Sequence, residues 1–335
     1  MLSYVRRLGR ALPARPQFLP GGTAGDLALS QARERVRHGD WRAARDVLAG
    51  AGEDWALRGR RLGVLSEAAA EDDAWLVAWL EEEPSDPAAV LLDAATLEAR
   101  AWEARGFASA ANTSVQQGRT YHELSAAAAK RGLDAMALAG SRDPLPWIEM
   151  MSTLHADREA MTVSFGELYA EGRRRDPYNF DLHRRAVSLR CQKWYGSHEL
   201  MFATAREAAA GAPAGSGVAL LPLFAHFEYA MREFLWDTRA ERDLKVAQRY
   251  FRRAEVGEEV DRCVAQWRAG TPDPVLLSTC LQWVALFFTL AGRRKQARAV
   301  FAELGQHVAP ASAWALFFPG EEYGYLKSWL WAHNY

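Results

Sequence analysis

Residues 281 to 304 read LQWVALFFTLAGRRKQARAVFAEL. Leu281, Val284, Ala285 and Phe288 recur at helical spacing, Gly292 ends that helix, and Ala297, Phe301 and Leu304 form a second apolar stripe. In such a pair a small residue at the crossing lets two antiparallel helices approach, and a large one fills the next gap. Ala285 and Ala297 supply the small residues here, and Phe288 and Phe301 the fillers.

Working outward, the same pattern returns twice. LALSQARERVRHGDWRAARDVLAG gives Leu29, Ala32 and Val36, a turn at Gly39-Asp40, then Trp41, Ala44 and Leu48. FDLHRRAVSLRCQKWYGSHELMFATAREAA gives Leu182, Ala186 and Leu189, a turn at Gly196-Ser197, then Phe202 and Ala205, without the expected small residue in its second helix. Asp-Pro pairs at 86–87, 143–144, 176–177 and 273–274 each precede an apolar-rich stretch. Aspartate accepts bonds from the orphan N–H groups of a helix start, and proline at the first helical position loses no hydrogen bond, so each pair predicts a helix start. The intervals of 33 and 97 residues between the last three pairs sit near one and three repeats of roughly 34. The 57 residues from Asp86 to Asp143 do not. Further helices are expected around 55–69, 75–80, 88–105, 120–138 and 220–235, with loops at 21–25, 106–114 and 211–217.

These offsets resemble the tetratricopeptide signature. AWEARG at 101–106, DPLPW at 143–147 and KWYGSHELM at 193–201 further resemble a group of uncharacterised tetratricopeptide-like proteins of high-GC bacteria, over about the central third of the chain. The resemblance implies helical-repeat architecture and transfers no catalytic residue. The expected fold is therefore all-α, an α-solenoid of stacked antiparallel helix pairs. A basic, flexible tail is expected over 1–25, the array over 26–310 and an aromatic cap over 311–335.

Composition sets the limits on function. Forty-one Lys and Arg against 42 Asp and Glu leave a net charge of −1, which argues against a nucleic-acid partner. Arginine clusters at 58–61, 173–175, 184–185, 252–253 and 293–295 read as solvated helix faces answered by acidic runs such as 71–73 and 81–83. Cys191, Cys263 and Cys280 form no Cys-x-x-Cys pair, which fits a reducing cytoplasm and no cysteine zinc site. Arg6, Arg7, Arg10 and Arg15 superficially suggest an export signal, but Arg10, Pro13 and Arg15 interrupt the apolar run it needs. Even LLSTCLQWVALFFTLAG is broken by Ser278, Thr279 and Gln282, so no membrane span is expected.

Common enzyme signatures for phosphate, dinucleotide, zinc and serine chemistry are absent. The eight histidines are scattered, and His122 and His198 adjoin Glu123 and Glu199, which point away from them on a helix. Counting along the repeat turns His183, Arg190, Thr279, Gln282 and Thr289 toward a concave groove. The 13 tryptophans are many for this length, and Trp314, Phe317, Phe318, Tyr323, Tyr325, Trp329, Trp331 and Tyr335 crowd the end of the chain, where a stack must cover its last apolar face. The reading these features favour is a non-enzymatic scaffold or adaptor that holds a protein or peptide in its groove and needs no cofactor or metal. The alternatives are an enzyme of small-molecule metabolism on an all-α scaffold and a regulator contacting nucleic acid.

Overall fold

A computed structural model describes residues 15–18, 25–106, 113–235, 241–309 and 311–334. The fold is all-α, with sixteen α-helices among the described residues. The first eight are α1 (Leu27–Val36), α2 (Trp41–Ala49), α3 (Trp55–Glu71), α4 (Ala74–Glu82), α5 (Pro87–Arg105), α6 (Val115–Leu138), α7 (Leu145–Thr153) and α8 (Arg158–Arg175). The rest are α9 (Phe180–Leu189), α10 (His198–Gly211), α11 (Leu221–Phe234), α12 (Glu241–Phe251), α13 (Ala254–Arg268), α14 (Pro274–Leu290), α15 (Arg294–Leu304) and α16 (Glu321–Ala332).

Side chains start many of them. Asp26, Asp54, Asp157, Asn179 and Ser197 each accept a bond from the backbone N–H three residues on, and Ser114 and Gln117 close a capping box at α6. Three of the four Asp-Pro pairs work as the sequence predicts. Asp86 and Asp273 cap α5 and α14, and Asp143 accepts from the Leu145 N–H. Asp176-Pro177 is the exception. It closes α8, its Asp176 carboxylate accepts from the Asn179 side chain, and Asn179 takes over the cap of α9. An amide three residues downstream competes for the start, and aspartate cannot serve both positions.

Neighbours in sequence are mostly neighbours in space: α1 packs on α2, α5 on α6, α7 on α6 and α8, α10 on α11, and α14 on α15. The 86–143 interval that fits no repeat is filled by two long helices, α5 and α6, which make the most extensive helix contact in the fold.

The apolar side chains form two cores. One runs from Leu29 to Leu189, the other from Phe180 to Ala332. Helix α9 is the wall between them: Leu182, Ala186 and Leu189 face the first, Phe180 and Val187 the second. In the second core, α14 is surrounded. Every residue from Cys280 to Leu290 is buried, and the helix touches α3, α11, α12, α15 and α16. A helix apolar around its whole circumference has no side it can leave in water. The small residues of the opening stretch, Ala285 and Ala297, are fully enclosed, and Phe288 and Phe301 are buried beside them.

Contact between α3 and α14 brings the two ends of the chain together. Gln17 and Phe18, within the segment expected to be a free tail, form β1 and pair in parallel with β2, His307 and Val308. The Phe18 ring meets Tyr325 edge to face at 5.6 Å. The aromatic end is mostly inside: Trp314, Phe317, Phe318, Tyr325 and Trp329 are buried, Trp331 is half-buried and Tyr323 is exposed. The rest of the expected tail, 1–14 and 19–24, the centre of the 106–114 loop and Tyr335 lie outside the described residues.

If α14 is the surrounded helix, position along it decides cost. Leu286→Ala, at a fully buried site, is expected to lower the unfolding free energy by roughly 2–5 kcal/mol. Leu277→Ala, at the exposed start of the same helix, should change it by about 0.5 kcal/mol or less in urea titrations.

Candidate functional site

Among the described residues, one cleft has a volume of about 610 Å³, within the range of roughly 300–1,000 Å³ usual for ligand sites. Connections and helix starts line it: Trp55 at the start of α3, Arg142 before α7, residues 175–180 between α8 and α9, 213–217 after α10, and Asp273 and Leu276 of α14. Both cores therefore contribute. The rim is firm. Asn179, Ser216 and Asp273 hold three helix starts by side-chain caps. The Gln266 amide donates to the Ala209 and Ala212 carbonyls at 3.0 and 2.8 Å, pinning the loop after α10. That loop crosses Gly270 and Thr271 so closely that a Cβ on Gly215 would strike the Thr271 backbone, and Gly215 also has a φ of +90°. Arg175 stacks 3.5 Å over the Trp147 ring and donates to the Gly140 and Asp143 carbonyls, so the DPLPW segment supports the cleft from behind.

None of the five residues expected to face a groove lines this cleft. His183 is buried, donates from Nε2 to the Pro177 carbonyl at 2.9 Å and accepts the Tyr169 hydroxyl on Nδ1 at 2.7 Å; burial lowers its pKa. Arg190 stacks 4.3 Å over Phe165. The Gln282 amide donates to the Ala309 carbonyl, and its oxygen accepts from the Trp314 indole at 3.1 Å. The Thr289 hydroxyl donates to the Ala285 carbonyl, and Thr279 is half-buried on α14. A groove face on α14 requires that helix to keep one side in water. Its all-round burial turns its polar residues into internal bonding groups instead. Trp55 opens a helix and Tyr178 lies in a turn, so neither belongs to a stripe that counting along a repeat selects.

The three segments that carry the family resemblance do not all meet. AWEARG and KWYGSHELM do, in a polar seam beside α9. The loop 190–197 folds on itself so tightly that any side chain at Gly196 would collide with the backbone of Arg190. That fold points three consecutive residues at three partners. Lys193 Nζ lies 2.6 Å from Glu228 Oε2 on α11. Trp194 stands edge to face with Trp102 and His155, at 5.6 and 4.8 Å. The Tyr195 hydroxyl donates to the His155 carbonyl at 2.9 Å. His155 itself donates from Nδ1 to the Ser152 carbonyl, and burial pushes its pKa down to about 3, so it is neutral. Burial opposes the charge on Lys193, but the Glu228 carboxylate outweighs it and raises its pKa.

Deeper in the same seam Glu98 is buried, with Oε2 accepting from the Ser125 hydroxyl at 3.0 Å and Oε1 unbonded. Burial pushes its pKa up to about 7, partly opposed by Ser125 and reinforced by Glu149. A second chain of polar groups, buried at Tyr250 and His226 and reaching the surface at Arg206, crosses four helices elsewhere. Tyr250 donates to Nδ1 of His226 at 2.6 Å, and His226 Nε2 donates to Glu259 at 3.1 Å. Arg206 binds both oxygens of Glu259, at 2.7 and 2.9 Å. Arg206 and then His226 hold Glu259 down at about 2, and burial raises the Tyr250 phenol. A hydroxyl, imidazole and carboxylate in series have the order of a nucleophile, base and orienter. Here the raised phenol and the buried imidazole make the series a stitch between helices rather than an activated nucleophile.

The cleft draws on neither polar cluster. Among the described residues no group of His, Cys, Asp and Glu could hold a metal ion, and no helix is long and apolar enough to cross a membrane. No protein-family model, curated protein or solved structure matches this chain.

Losing one partner of the Lys193–Glu228 pair strands the other in the interior. Lys193→Met is expected to cost roughly 3–5 kcal/mol in chemical unfolding, and adding Glu228→Leu should recover part of that loss. The two shifted carboxyls act with opposite signs. Glu98 keeps its proton to about pH 7 in the folded chain against an ordinary 4.5, so its ionisation removes stability as pH rises across that window. Glu259, held at about 2 against 4.5, stabilises above that window and loses its contribution as pH falls through it. In urea titrations over pH, Glu98→Gln should therefore gain on the wild type between about pH 4.5 and 7. Glu259→Gln should be the weaker protein at neutrality and converge with the wild type toward about pH 2.

Proposed function

We propose that this chain is a tetratricopeptide-like α-solenoid of stacked antiparallel helix pairs, acting in the cytoplasm as a non-enzymatic scaffold or adaptor that holds a protein or peptide segment. The observation that carries this reading is the cleft. Its wall is assembled from five connections spread from Trp55 to Leu276, as expected where an extended partner runs across several repeats rather than a small substrate sitting in one. Trp55 and the exposed Tyr178 give such a segment aromatic anchors on a wall of Pro177, Pro213 and Leu276, and rigid aromatic residues dominate interface energetics. His155, His183, His226 and the three free cysteines are buried, and none of them lines the cleft. Buried free thiols also accord with a reducing compartment.

The helix-pair reading draws support from the sequential packing of α1 on α2, α7 on α8, α10 on α11 and α14 on α15, and from the enclosed Ala285 and Ala297. Burial of Trp314, Phe317, Phe318, Tyr325 and Trp329 accords with a cap over the last pair. A nucleic-acid role is disfavoured by the pairing of its candidate arginines. Arg61 is engaged with Asp26, Arg174 and Arg175 with Glu171, Arg184 with Asp181, Arg185 with Glu149, and Arg293 with Asp261.

Affinity capture from native extract, run in parallel with wild type and with the Trp55→Ala and Tyr178→Ala variants, tests the proposal. A protein recovered by the wild type should bind each variant on the order of tenfold or more weakly in a direct titration. Recovery of background proteins alone, with a metabolite co-purifying, would overturn it.

A further inference from the structure

Trp102, Tyr121 and Trp194 come from three separate parts of the chain and gather around one guanidinium. The Cζ atom of Arg105 lies 5.7 Å from the centre of the Trp102 ring, 6.0 Å from Tyr121 and 5.1 Å from Trp194. An aromatic face attracts a cation placed within about 6 Å of its centre. The rings stand at steep angles to one another, 89° between Trp102 and Trp194 and 59° between Trp102 and Tyr121, so they make the walls of a box rather than a stack.

One helical turn before Trp102 lies Glu98. Glu98, Trp102 and Arg105 follow one another at four and three residues on α5, so they share one face of that helix. Glu98 Oε1 and the Tyr121 hydroxyl have no partner in good hydrogen-bond geometry, although Trp102 lies close to Glu98 and Ser125 close to Tyr121. Both side chains are more than nine-tenths buried, at 5% and 4% exposure. Two unbonded polar atoms in one buried seam call for a missing partner. The groups around them narrow its chemistry: Ser125 already binds the other carboxyl oxygen, Glu149 adds negative charge and Arg185 offsets it. A carboxyl and a phenol oxygen beside three aromatic rings match an N–H-bearing organic cation, whose carbon face the rings cover and whose protons the oxygens accept.

We propose that Glu98, Trp102, Tyr121 and Trp194 form a receptor for an organic cation of the guanidinium or alkylammonium type, and that Arg105 stands in its mouth as an internal substitute. Arg105 is the last residue of α5, and its Nη1 donates to the Gly106 carbonyl at 3.1 Å just beyond the helix. The receptor shares no lining residue with the cleft, and its occupancy is independent of a partner there. Its ligand is either a free small cation or an arginine side chain presented by another protein.

Calorimetric titration with methylguanidinium and with the capped tripeptide acetyl-Gly-Arg-Gly-amide tests this on the full chain. Arg105→Gln, which keeps most of the stem and removes the charge, and Arg105→Ala should each bind at least one of the two on the order of tenfold more tightly than the wild type. Arg105→Lys, which keeps the plug charged, should not. Adding Glu98→Gln or Trp194→Ala to Arg105→Gln should abolish the gain. Tighter binding of the tripeptide assigns the ligand to a protein side chain, and tighter binding of methylguanidinium to a free cation; either supports the receptor. The proposal is overturned if Arg105→Gln, shown folded by circular dichroism and a cooperative melt, gives no saturable heat with either probe. It is equally overturned if the gain survives Glu98→Gln.

Discussion

The rest of the fold depends on the enclosure of α14. Eleven consecutive residues, from Cys280 to Leu290, are removed from water, and a helix of that kind gains from burial only if every side of it is covered. Helices α15 and α16 cover it from downstream, α11 and α12 from upstream, and α3 from the other end of the chain. The last contact has consequences beyond packing. It joins the two cores, and the β1–β2 pair and the Phe18–Tyr325 contact tie the first described residues to the chain's end. The cleft lies where the connections from both cores then converge.

The second constraint is polar. Two apolar cores that meet along α9 and at the α3–α14 contact are held in register by directional groups, several of them from the loop 190–197. Its turn is possible only because Gly196 has no side chain, and it delivers an ammonium, an indole and a phenol to three different helices or turns. Buried ionic and hydrogen-bonded groups contribute less net stability than their number suggests, because each is first stripped of water. Their value here is geometric. An apolar contact tolerates sliding, whereas the Lys193–Glu228 pair and the Tyr195–His155 bond each have one satisfactory arrangement. The Tyr250–His226–Glu259–Arg206 chain acts in the same way across α10 to α13.

Much of this organisation can be read from the residues in order. Helical spacing around Gly292 and Gly39 marks two helix pairs, capping aspartates mark starts at α5 and α14, and the apolar run of α14 marks a helix without a wet side. Where the reading departs from the structure, the cause lies in contacts distant in sequence. Gln282 and Thr289 are polar residues in a run that is otherwise apolar, and taken locally they suggest a face toward solvent. Their partners, Trp314 and the Ala309 carbonyl for Gln282 and the Ala285 carbonyl for Thr289, show them as internal bonding groups. The seam around Glu98 was invisible for a similar reason: Glu98, Ser125, His155 and Trp194 follow no shared period and meet only because α5, α6, the turn after α7 and the loop after α9 pack together.

The sequence by itself determined that the chain is helical, where most of its helices start and which faces are apolar, because capping and periodicity act over three to seven residues. Only the tertiary structure decided which helix is enclosed on every side, that the chain's two ends meet, and that the cleft is walled by loops rather than by the helix faces a repeat count selects. Those outcomes follow from burying the α14 surface as a whole, and no local rule assigns the distant segment that covers it.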